Sequence, residues 1–263
     1  MLLEDKVAIV IGGGQTPGKS IGNGRATAIQ FAREGASVLV ADRELASAEK
    51  TTKMICKEGG DALACRADVR NEPEIKAMIE TAIEQWGKID ILHNNVGVSI
   101  AGQDARIEDI TPDSFNMLVE INLRGMILST KHVLPHMREA GSGVIINISS
   151  MAARKAYPLV GYKTTKAAVV TLTEQTAALN AKYGIRANAI LPGLMNTPMA
   201  IESRVSERKS REKVIAERDA QVPLGKKMGT AWDVAHAAAF LASDRAGFIT
   251  GVALPVDGGT SVL

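Results

Sequence analysis

Short apolar runs rich in β-branched residues alternate along the chain with longer stretches in which apolar residues recur every three or four positions. Runs of the first kind are typical of buried strands, and stretches of the second kind are typical of helices. Strands separated by helices pair in parallel through right-handed crossovers. The pattern therefore predicts one α/β domain over residues 1–263, with a doubly wound parallel sheet in three α/β/α layers. The predicted strands are residues 7–11, 37–41, 62–67, 89–93, 144–148, 185–190 and 252–256.

The predicted helices occupy the intervals between these strands, at residues 24–33, 44–58, 72–86, 112–138, 161–183 and 232–242. In such sheets, ligands bind at the carboxyl ends of the strands. A highly charged segment, residues 199–227, interrupts the alternation after the sixth strand. It is expected to form charged helix and has two interpretations: a substrate lid over about 198–227, or a solvated surface helix.

Composition narrows the possible partners. Thirty-one basic and 29 acidic residues give a formal charge of +2, which is too small to indicate nucleic acid or a membrane surface as partner. No apolar run approaches the ~20 residues that span a bilayer. Two cysteines without a CxxC pair, and an N-terminus unlike a secretory signal, favour a cytoplasmic protein. The four histidines match no metal-binding spacing, so no metal is predicted.

The glycine-rich loop after the first strand indicates a phosphate-binding turn, because glycines let the backbone approach a pyrophosphate at a helix N-terminus. Residues 13–20 also match the P-loop pattern GxxxxGK[ST], with Lys19 and Ser20 as its functional pair. A nucleotide triphosphatase is therefore an alternative. Against it, Gly22 and Gly24 would fall in the first turns of a P-loop helix, at a cost of about 1 kcal/mol each.

Tyr162 and Lys166 are four residues apart in a predicted helix, so their side chains share one face. Alone, this spacing also fits an ordinary helix surface. However, Ser149 and Ser150 directly follow the strand at 144–148, at the edge where a ligand is expected. The sequence 94–97 follows another strand in the same way. These polar groups predict a reaction centre.

These features together resemble the short-chain dehydrogenase/reductase family over essentially the whole chain, which implies a Rossmann-like fold. The matching motifs are the glycine-rich turn, Asp68-Val69, Asn94-Asn95-Val96-Gly97, Asn122 in Ile-Asn-Leu, Asn147-Ile148-Ser149-Ser150, Tyr162-x-x-x-Lys166, Pro192-Gly193 with Thr197, and Asp257-Gly258-Gly259.

The resemblance implies a catalytic tetrad of Asn122, Ser150, Tyr162 and Lys166 in an NAD-dependent alcohol dehydrogenase or ketoreductase. Tyr162 would exchange a proton with the substrate oxygen, and Ser150 would orient that oxygen. Lys166 would bind the nicotinamide ribose, and Asn122 would position a water. Because a free phenol has a pKa of about 10, the Lys166 ammonium and the positive nicotinamide are expected to lower the pKa of Tyr162. Ser149 is an alternative for the serine role.

The resemblance also implies a set of cofactor-binding residues. Asp42, at the end of the second strand, would accept hydrogen bonds from the adenosine ribose and repel the 2′-phosphate of NADP. NAD is therefore the expected cofactor, although Arg43 and Lys19 could receive such a phosphate. The expected cofactor-binding residues are Gly12, Gly22, Asn23, Asp42, Asp68, Val69, Asn95, Tyr162, Lys166, Pro192, Met195 and Thr197.

The first turn departs from the family pattern GxxxGxG, since its last two glycines are Gly22 and Gly24 whereas Gly12 ends the strand. An insertion of roughly six residues within residues 13–20 explains the difference. The resemblance further suggests a homotetramer and a small alcohol or ketone as substrate. A nucleotide-sensing protein without turnover on the same scaffold is a second functional hypothesis.

Overall fold

The computed structural model describes residues 1–262. It contains one seven-stranded, fully parallel sheet with the strand order β3-β2-β1-β4-β5-β6-β7, which confirms the predicted fold. Because β1 pairs with both β2 and β4, the strand order reverses direction beside β1, the usual place for a ligand crevice. The strands are β1 (Val7–Ile11), β2 (Ser37–Asp42), β3 (Ala62–Arg66), β4 (Ile91–Asn94), β5 (Gly143–Ile148), β6 (Ile185–Pro192) and β7 (Ala253–Val256).

The helices begin and end with the expected signals. Asn71 precedes α3, proline stands in its first turn, and a left-handed Gly87 ends it. A capping box of Thr230 and Asp233 starts α9. The α-helices are α1 (Asn23–Arg33), α2 (Leu45–Lys57), α3 (Glu72–Trp86), α4 (Pro112–Val119), α5 (Gly125–Ala140), α6 (Val160–Asn180), α7 (Pro198–Ile201), α8 (Arg211–Asp219) and α9 (Ala231–Ala242).

Alternating side chains of each central strand supply the two cores on opposite faces of the sheet. Ala8 and Val10 face the core beneath α1, α2 and α9, whereas Ile9 and Ile11 face the core beneath α3, α5 and α6. A sheet buried on both faces explains why its strands are continuously apolar. In the first core, the fully buried His93 packs edge-on against Phe31 with ring centroids 5.8 Å apart.

The predicted continuous helix over 112–138 was wrong in one respect. Five π-helical residues, Glu120–Arg124, separate α4 from α5. The wider turn places the Asn122 side chain in the interior with no exposed surface, where its amide bonds the backbone of Val98. Such π-helical turns occur frequently at functional sites.

Candidate active site

Tyr162 and Lys166 lie one turn apart near the start of α6. The Lys166 ammonium is 5.8 Å from the centre of the Tyr162 ring. Lys166 is 1% exposed, and its Nζ donates a 2.8 Å hydrogen bond to the Ile148 carbonyl at the end of β5. Gly97 leaves room for this amine, because a Cβ there would lie 2.9 Å from Nζ. The pair thus lies at the carboxyl end of the sheet.

The two serines after β5 point in different directions. The Ser149 hydroxyl is buried and donates a 2.6 Å hydrogen bond to the Lys166 carbonyl, which fastens β5 to α6. The Ser150 hydroxyl instead lies near the Tyr162 phenol, whose pKa it acts to lower, and it accepts a hydrogen bond from the Ala152 N–H at 3.1 Å. This arrangement follows from strand alternation, which sends neighbouring side chains to opposite sides. Of the two hydroxyls, Ser150 is the one beside the phenol.

Burial of Tyr162 acts against the acidified phenol expected from the sequence. In the protein alone, burial raises its pKa to about 12, although the Ser150 side chain and the Arg204 charge act to lower it. Burial also lowers the pKa of Lys166 to about 7, so its ammonium form is weakly held near neutrality. The sequence argument had counted the positive neighbour but not desolvation, which disfavours both charged forms. Positive charge from a bound ligand would therefore favour the phenolate.

Asn122 uses its side chain to hold the protein together. Its Oδ1 accepts a 2.7 Å hydrogen bond from the Val98 N–H, and its Nδ2 donates to the Val98 carbonyl at 2.9 Å. The same Nδ2 also donates to the Thr165 hydroxyl at 3.1 Å. Both amide hydrogens are thereby engaged with protein. Asn122 joins the loop after β4 to α6 next to Lys166, and its expected contact with water stays a prediction.

Asp104 is a positioning residue that the sequence argument missed. Its Oδ1 accepts a hydrogen bond from the Gly161 N–H, and its Oδ2 accepts one from the Tyr162 N–H, both at 2.9 Å. Asp104 thus caps α6 from a loop more than fifty residues away in sequence. Tyr157 is a second missed residue, since its ring lies 5.7 Å from the Tyr162 ring and its hydroxyl is 3.3 Å from Ser99 Oγ. A capping pair so distant in sequence leaves no local signal.

The glycine-rich turn forms a close approach between β1 and α1. Gly12 has φ +76°, and a Cβ on Gly24 would collide with the Gly12 carbonyl oxygen. Because α1 begins at Asn23, Lys19 and Ser20 lie in the loop and do not start a helix. A P-loop requires its helix to begin near that pair, so the triphosphatase alternative was wrong.

The same turn contains polar groups suited to a bound phosphate. The Gly22 N–H at the start of α1 donates to Gln15 Oε1 at 3.1 Å, so a side-chain oxygen of the inserted loop occupies an anion-binding position. Ser20 Oγ, which can donate to a phosphate oxygen, and Asn23 Oδ1, which needs a donor such as a hydroxyl group, are buried and have no hydrogen-bond partner in the part of the chain that the structure describes. Buried polar atoms without partners are costly unless a ligand satisfies them. This end of the crevice therefore fits a dinucleotide cofactor.

Asp42 lies at the end of β2, as predicted, and also holds the inserted loop. Its Oδ2 accepts a 3.1 Å hydrogen bond from the Gly14 N–H, and its Oδ1 accepts a 3.0 Å bond from the Glu44 N–H. Burial raises the pKa of this carboxyl group. Each carboxylate oxygen retains acceptor capacity for a further donor. Asp42 is thus available to a ribose hydroxyl while it shapes the loop.

The remaining predicted cofactor residues border the same crevice with different surroundings. Asn95 Nδ2 donates to the Gly12 carbonyl at 3.0 Å, and Asp68 pairs with Arg70 at 2.6 Å. Val69 is buried, and a Cβ on Gly125 would lie 2.7 Å from its Cβ. Pro192 ends β6.

Downstream of β6, the buried Thr197 precedes α7. Met195 differs from the other predicted residues, because its side chain packs into the interior against Gly229. The neighbouring Asn196, which the sequence argument did not select, has a buried Oδ1 without a partner within residues 1–262. The polar atom available to a ligand in this stretch therefore belongs to Asn196 and not to the Met195 side chain.

The charged segment 198–227 folds as α7, a 3-10 turn at Glu202–Arg204 and α8. Ile201, Val214 and Val222 of this segment form a small core together with Met228, which directly follows it. The segment touches the inserted loop, because a Cβ on Gly18 would lie 2.8 Å from the Pro198 Cβ. The inserted loop and the charged segment therefore contact each other.

Residues 1–262 contain neither a membrane-spanning helix nor a group of metal ligands. No helix there is long and apolar enough to cross a membrane. No three or more histidine, cysteine or acidic side chains are grouped there as metal ligands would be.

Comparison with known proteins gives consistent matches. A family model described as "Enoyl-(Acyl carrier protein) reductase" matches residues 18–261. The 2-(R)-hydroxypropyl-CoM dehydrogenase of Xanthobacter autotrophicus is 38% identical over 256 residues, 96% of this chain and 97% of that protein. Levodione reductase of Leifsonia aquatica is 36% identical over 260 residues, 98% and 94% of the two chains. A crystal structure of levodione reductase matches with a TM-score of 0.91 at 33% identity, covering 99% of both chains. With this agreement of fold and sequence, the chain belongs to the short-chain dehydrogenase/reductase family of oxidoreductases, which typically bind a nicotinamide cofactor.

Proposed function

We propose that this oxidoreductase transfers hydride between NAD and a secondary alcohol or ketone, with Tyr162 as the general acid and base. The observation that carries the proposal is the pair of Tyr162 and Lys166 on one face of α6, with the Lys166 amine 5.8 Å from the Tyr162 ring and bonded to the carboxyl end of β5. The names of the relatives, a hydroxypropyl-CoM dehydrogenase and a levodione reductase, support an alcohol or ketone as substrate.

Each side chain then has a defined task. In oxidation, the Tyr162 phenolate accepts the proton of the substrate hydroxyl as the carbinol C–H bond breaks, and in reduction the phenol returns that proton. Ser150 donates a hydrogen bond to the substrate oxygen and stabilises the charge that develops there. Lys166 holds the ribose hydroxyls on the nicotinamide side, and Asn122 fixes the loop that passes Lys166. When bound, NAD supplies the hydride acceptor and a positive ring that favours phenolate.

The cofactor is held by the residues along the crevice. The N-terminus of α1, with Gly22, Asn23 and Ser20, receives the pyrophosphate. Asp42 receives the adenosine ribose, and Asp68 and Val69 flank the adenine. Asn95 lies along the adenosine-side ribose, while Thr197 and Asn196 meet the carboxamide end. The segment 198–227 serves as a lid that excludes water from the reacting atoms.

Replacing Tyr162 by phenylalanine tests the proposal. We expect Tyr162→Phe to bind NAD with unchanged affinity and to lose turnover by about a hundredfold or more, because only the ionisable oxygen is removed. Calorimetry gives the Kd for NAD, and NADH absorbance with a panel of secondary alcohols and ketones gives kcat. Tyr183→Phe is the matched control, since Tyr183 packs on Arg138 away from the site.

Two outcomes would contradict this assignment. If Tyr162→Phe retains more than about a tenth of kcat, Tyr162 is not the proton donor and acceptor. If the unaltered protein binds NAD but turns over no member of the panel, the nucleotide-sensing hypothesis replaces the dehydrogenase.

A further inference from the structure

The lid contains a guanidinium without a partner. Arg218 lies on α8, and its Nε is buried with no hydrogen-bond partner in the described residues 1–262. Over the same residues, its side chain makes no salt bridge. Burial lowers its pKa to about 10, the charge of Arg204 lowers it further, and Tyr157 opposes this change. Removing a charge from water without a counter-charge is unfavourable, so this arrangement calls for an explanation.

Arg204 is the second half of the arrangement. It ends the 3-10 turn after α7, and its Nη1 donates to the Ala200 carbonyl at 2.9 Å and to Ser203 Oγ at 3.3 Å. Within the described chain, these two contacts leave its Nε and Nη2 without hydrogen-bond partners, and it forms no salt bridge. Two like charges thus lie near each other, with donors still free.

The charges of both arginines act on tyrosines of the candidate site. The charge of Arg204 acts on the Tyr162 phenol, and Arg218 and Tyr157 lie within electrostatic reach of each other. The two tyrosine rings are 5.7 Å apart, so the arginine pair lies in the neighbourhood of the candidate proton donor.

The nearby carboxylates are already committed elsewhere. Glu202 pairs with Arg211 at 3.2 Å, and Glu217 pairs with Lys209. Asp219 accepts the Met228 N–H at 2.8 Å. Asp104 accepts the two N–H groups at the start of α6. The positive charge of the pair is therefore left for a ligand.

We propose that Arg204 and Arg218 together bind an anionic group of the substrate, so that the alcohol or ketone carries a carboxylate, sulfonate or phosphate. Guanidinium groups suit such oxyanions because their N–H donors match two oxygens at once. An anion between the two arginines removes their mutual repulsion and satisfies the buried Nε. It also draws the lid onto the substrate. This inference rests on the proposed function, since it names the substrate class of the same site.

The test compares charged ligands with neutral ones. A panel of keto acids of graded chain length is paired with the corresponding methyl esters, and with sulfonate and phosphate analogues that identify the preferred oxyanion. Calorimetry on the NAD-saturated protein gives each Kd, and NADH consumption gives kcat/KM. We expect the unaltered protein to prefer one class of anion to its neutral partner in both measurements.

Substitutions locate the preference. We expect Arg204→Met and Arg218→Met each to weaken binding of the best anion by about tenfold or more, ~1.4 kcal/mol. Arg218→Lys keeps the charge but loses the planar set of donors, so its affinity for the anion should fall less than that of Arg218→Met. Arg208→Met is the matched control, because Arg208 is an exposed lid arginine. Circular dichroism confirms that each variant is folded.

The outcomes separate the two proposals. Equal binding of acids and esters, or unchanged anion binding in both methionine variants, overturns the anionic-substrate proposal even if dehydrogenase activity is intact. Anion binding that depends on both arginines, without turnover of any ligand, supports the anion site and overturns the dehydrogenase function. Arginine-dependent preference in both Kd and kcat/KM supports both.

Discussion

Asp42 shows how a single residue can serve both cofactor and scaffold. Its carboxylate accepts the Gly14 N–H of the inserted loop and the Glu44 N–H before α2. Removing the whole side chain would therefore disturb the loop as well as the ribose contact. Removing only its charge isolates the electrostatic contribution, because an amide oxygen still accepts a hydrogen bond.

We expect Asp42→Ala to weaken NAD binding by about tenfold or more, the usual value of a lost hydrogen bond to a charged group. The preference of this variant for NAD over NADP should decrease, because the repulsion of the 2′-phosphate is removed. Asp42→Asn should also decrease the preference for NAD over NADP, but it should preserve more of the loop structure because its amide oxygen still accepts a hydrogen bond. Calorimetric Kd values for both cofactors, measured on both variants, check this.

Lys19→Ala is the control for the inserted loop. Lys19 lies near Glu212 of the lid, whose pKa its charge lowers, and we expect its removal to change NAD and NADP binding little. If Lys19→Ala loses its affinity for NADP while Asp42→Ala binds NAD as tightly as the unaltered protein, NADP and not NAD is the cofactor.

At the scale of elements, α6 carries the chemistry and is fixed from three directions. Asp104 caps its first turn, Ser149 bonds its Lys166 carbonyl, and Asn122 reaches Thr165. None of these three partners lies on α6 itself. The helix is therefore held as a rigid support for the phenol and the amine, as a catalytic pair requires.

We expect Asp104→Ala to lower the free energy of unfolding by about 1–2 kcal/mol, the value of a lost helix cap, and to lower kcat through displacement of Tyr162. Asp104→Asn keeps one acceptor oxygen, so its free energy of unfolding and its kcat should lie between those of Asp104→Ala and of the unaltered protein. Urea unfolding and NADH-coupled turnover provide the measurements. Asp109 lies in an exposed part of the same loop, so Asp109→Ala should have the stability and kcat of the unaltered protein. If Asp109→Ala loses as much stability and kcat as Asp104→Ala, Asp104 has no special role.

At the scale of the whole molecule, apolar side chains remain on the surface of one chain. Ile127 of α5 and Leu179 of α6 are 43% and 58% exposed, and Phe248 before β7 is completely exposed. The family resemblance suggests one contact between subunits on the helix from Pro112 and the Tyr162 helix, and another over residues 248–256. These exposed positions fall in both regions. Closed symmetry would cover both regions at once.

We expect a homotetramer in solution, with a mass four times the 27.9 kDa of one chain, by light scattering at micromolar concentration. Phe248→Asp should dissociate it, because a charge would be buried at one contact. Met54→Asp, an equally drastic change at an exposed position on α2, should leave the assembly intact. A monomeric unaltered protein would contradict the expectation.

The sequence by itself determined the order of strands and helices, the parallel sheet and the edge at which Tyr162, Lys166 and Ser150 gather. These features follow from local periodicity and from the alternation of strand and helix, which are properties of neighbouring residues. The same periodicity did not reveal the π-helical turn at Asn122. An extra residue in a helical turn depends on tertiary contacts, here the hydrogen bond between the Asn122 side chain and the Val98 backbone.

Only the tertiary structure decided which serine reaches the phenol, what caps α6 and which arginines lack partners. Ser149 and Ser150 are equivalent in composition and differ only in the side of the strand they occupy. The Tyr162 pKa likewise depends on burial, which opposes the charge effect that sequence reasoning counted. Contacts between distant segments and the exclusion of water exist only in the folded chain, and they control the electrostatics of this site.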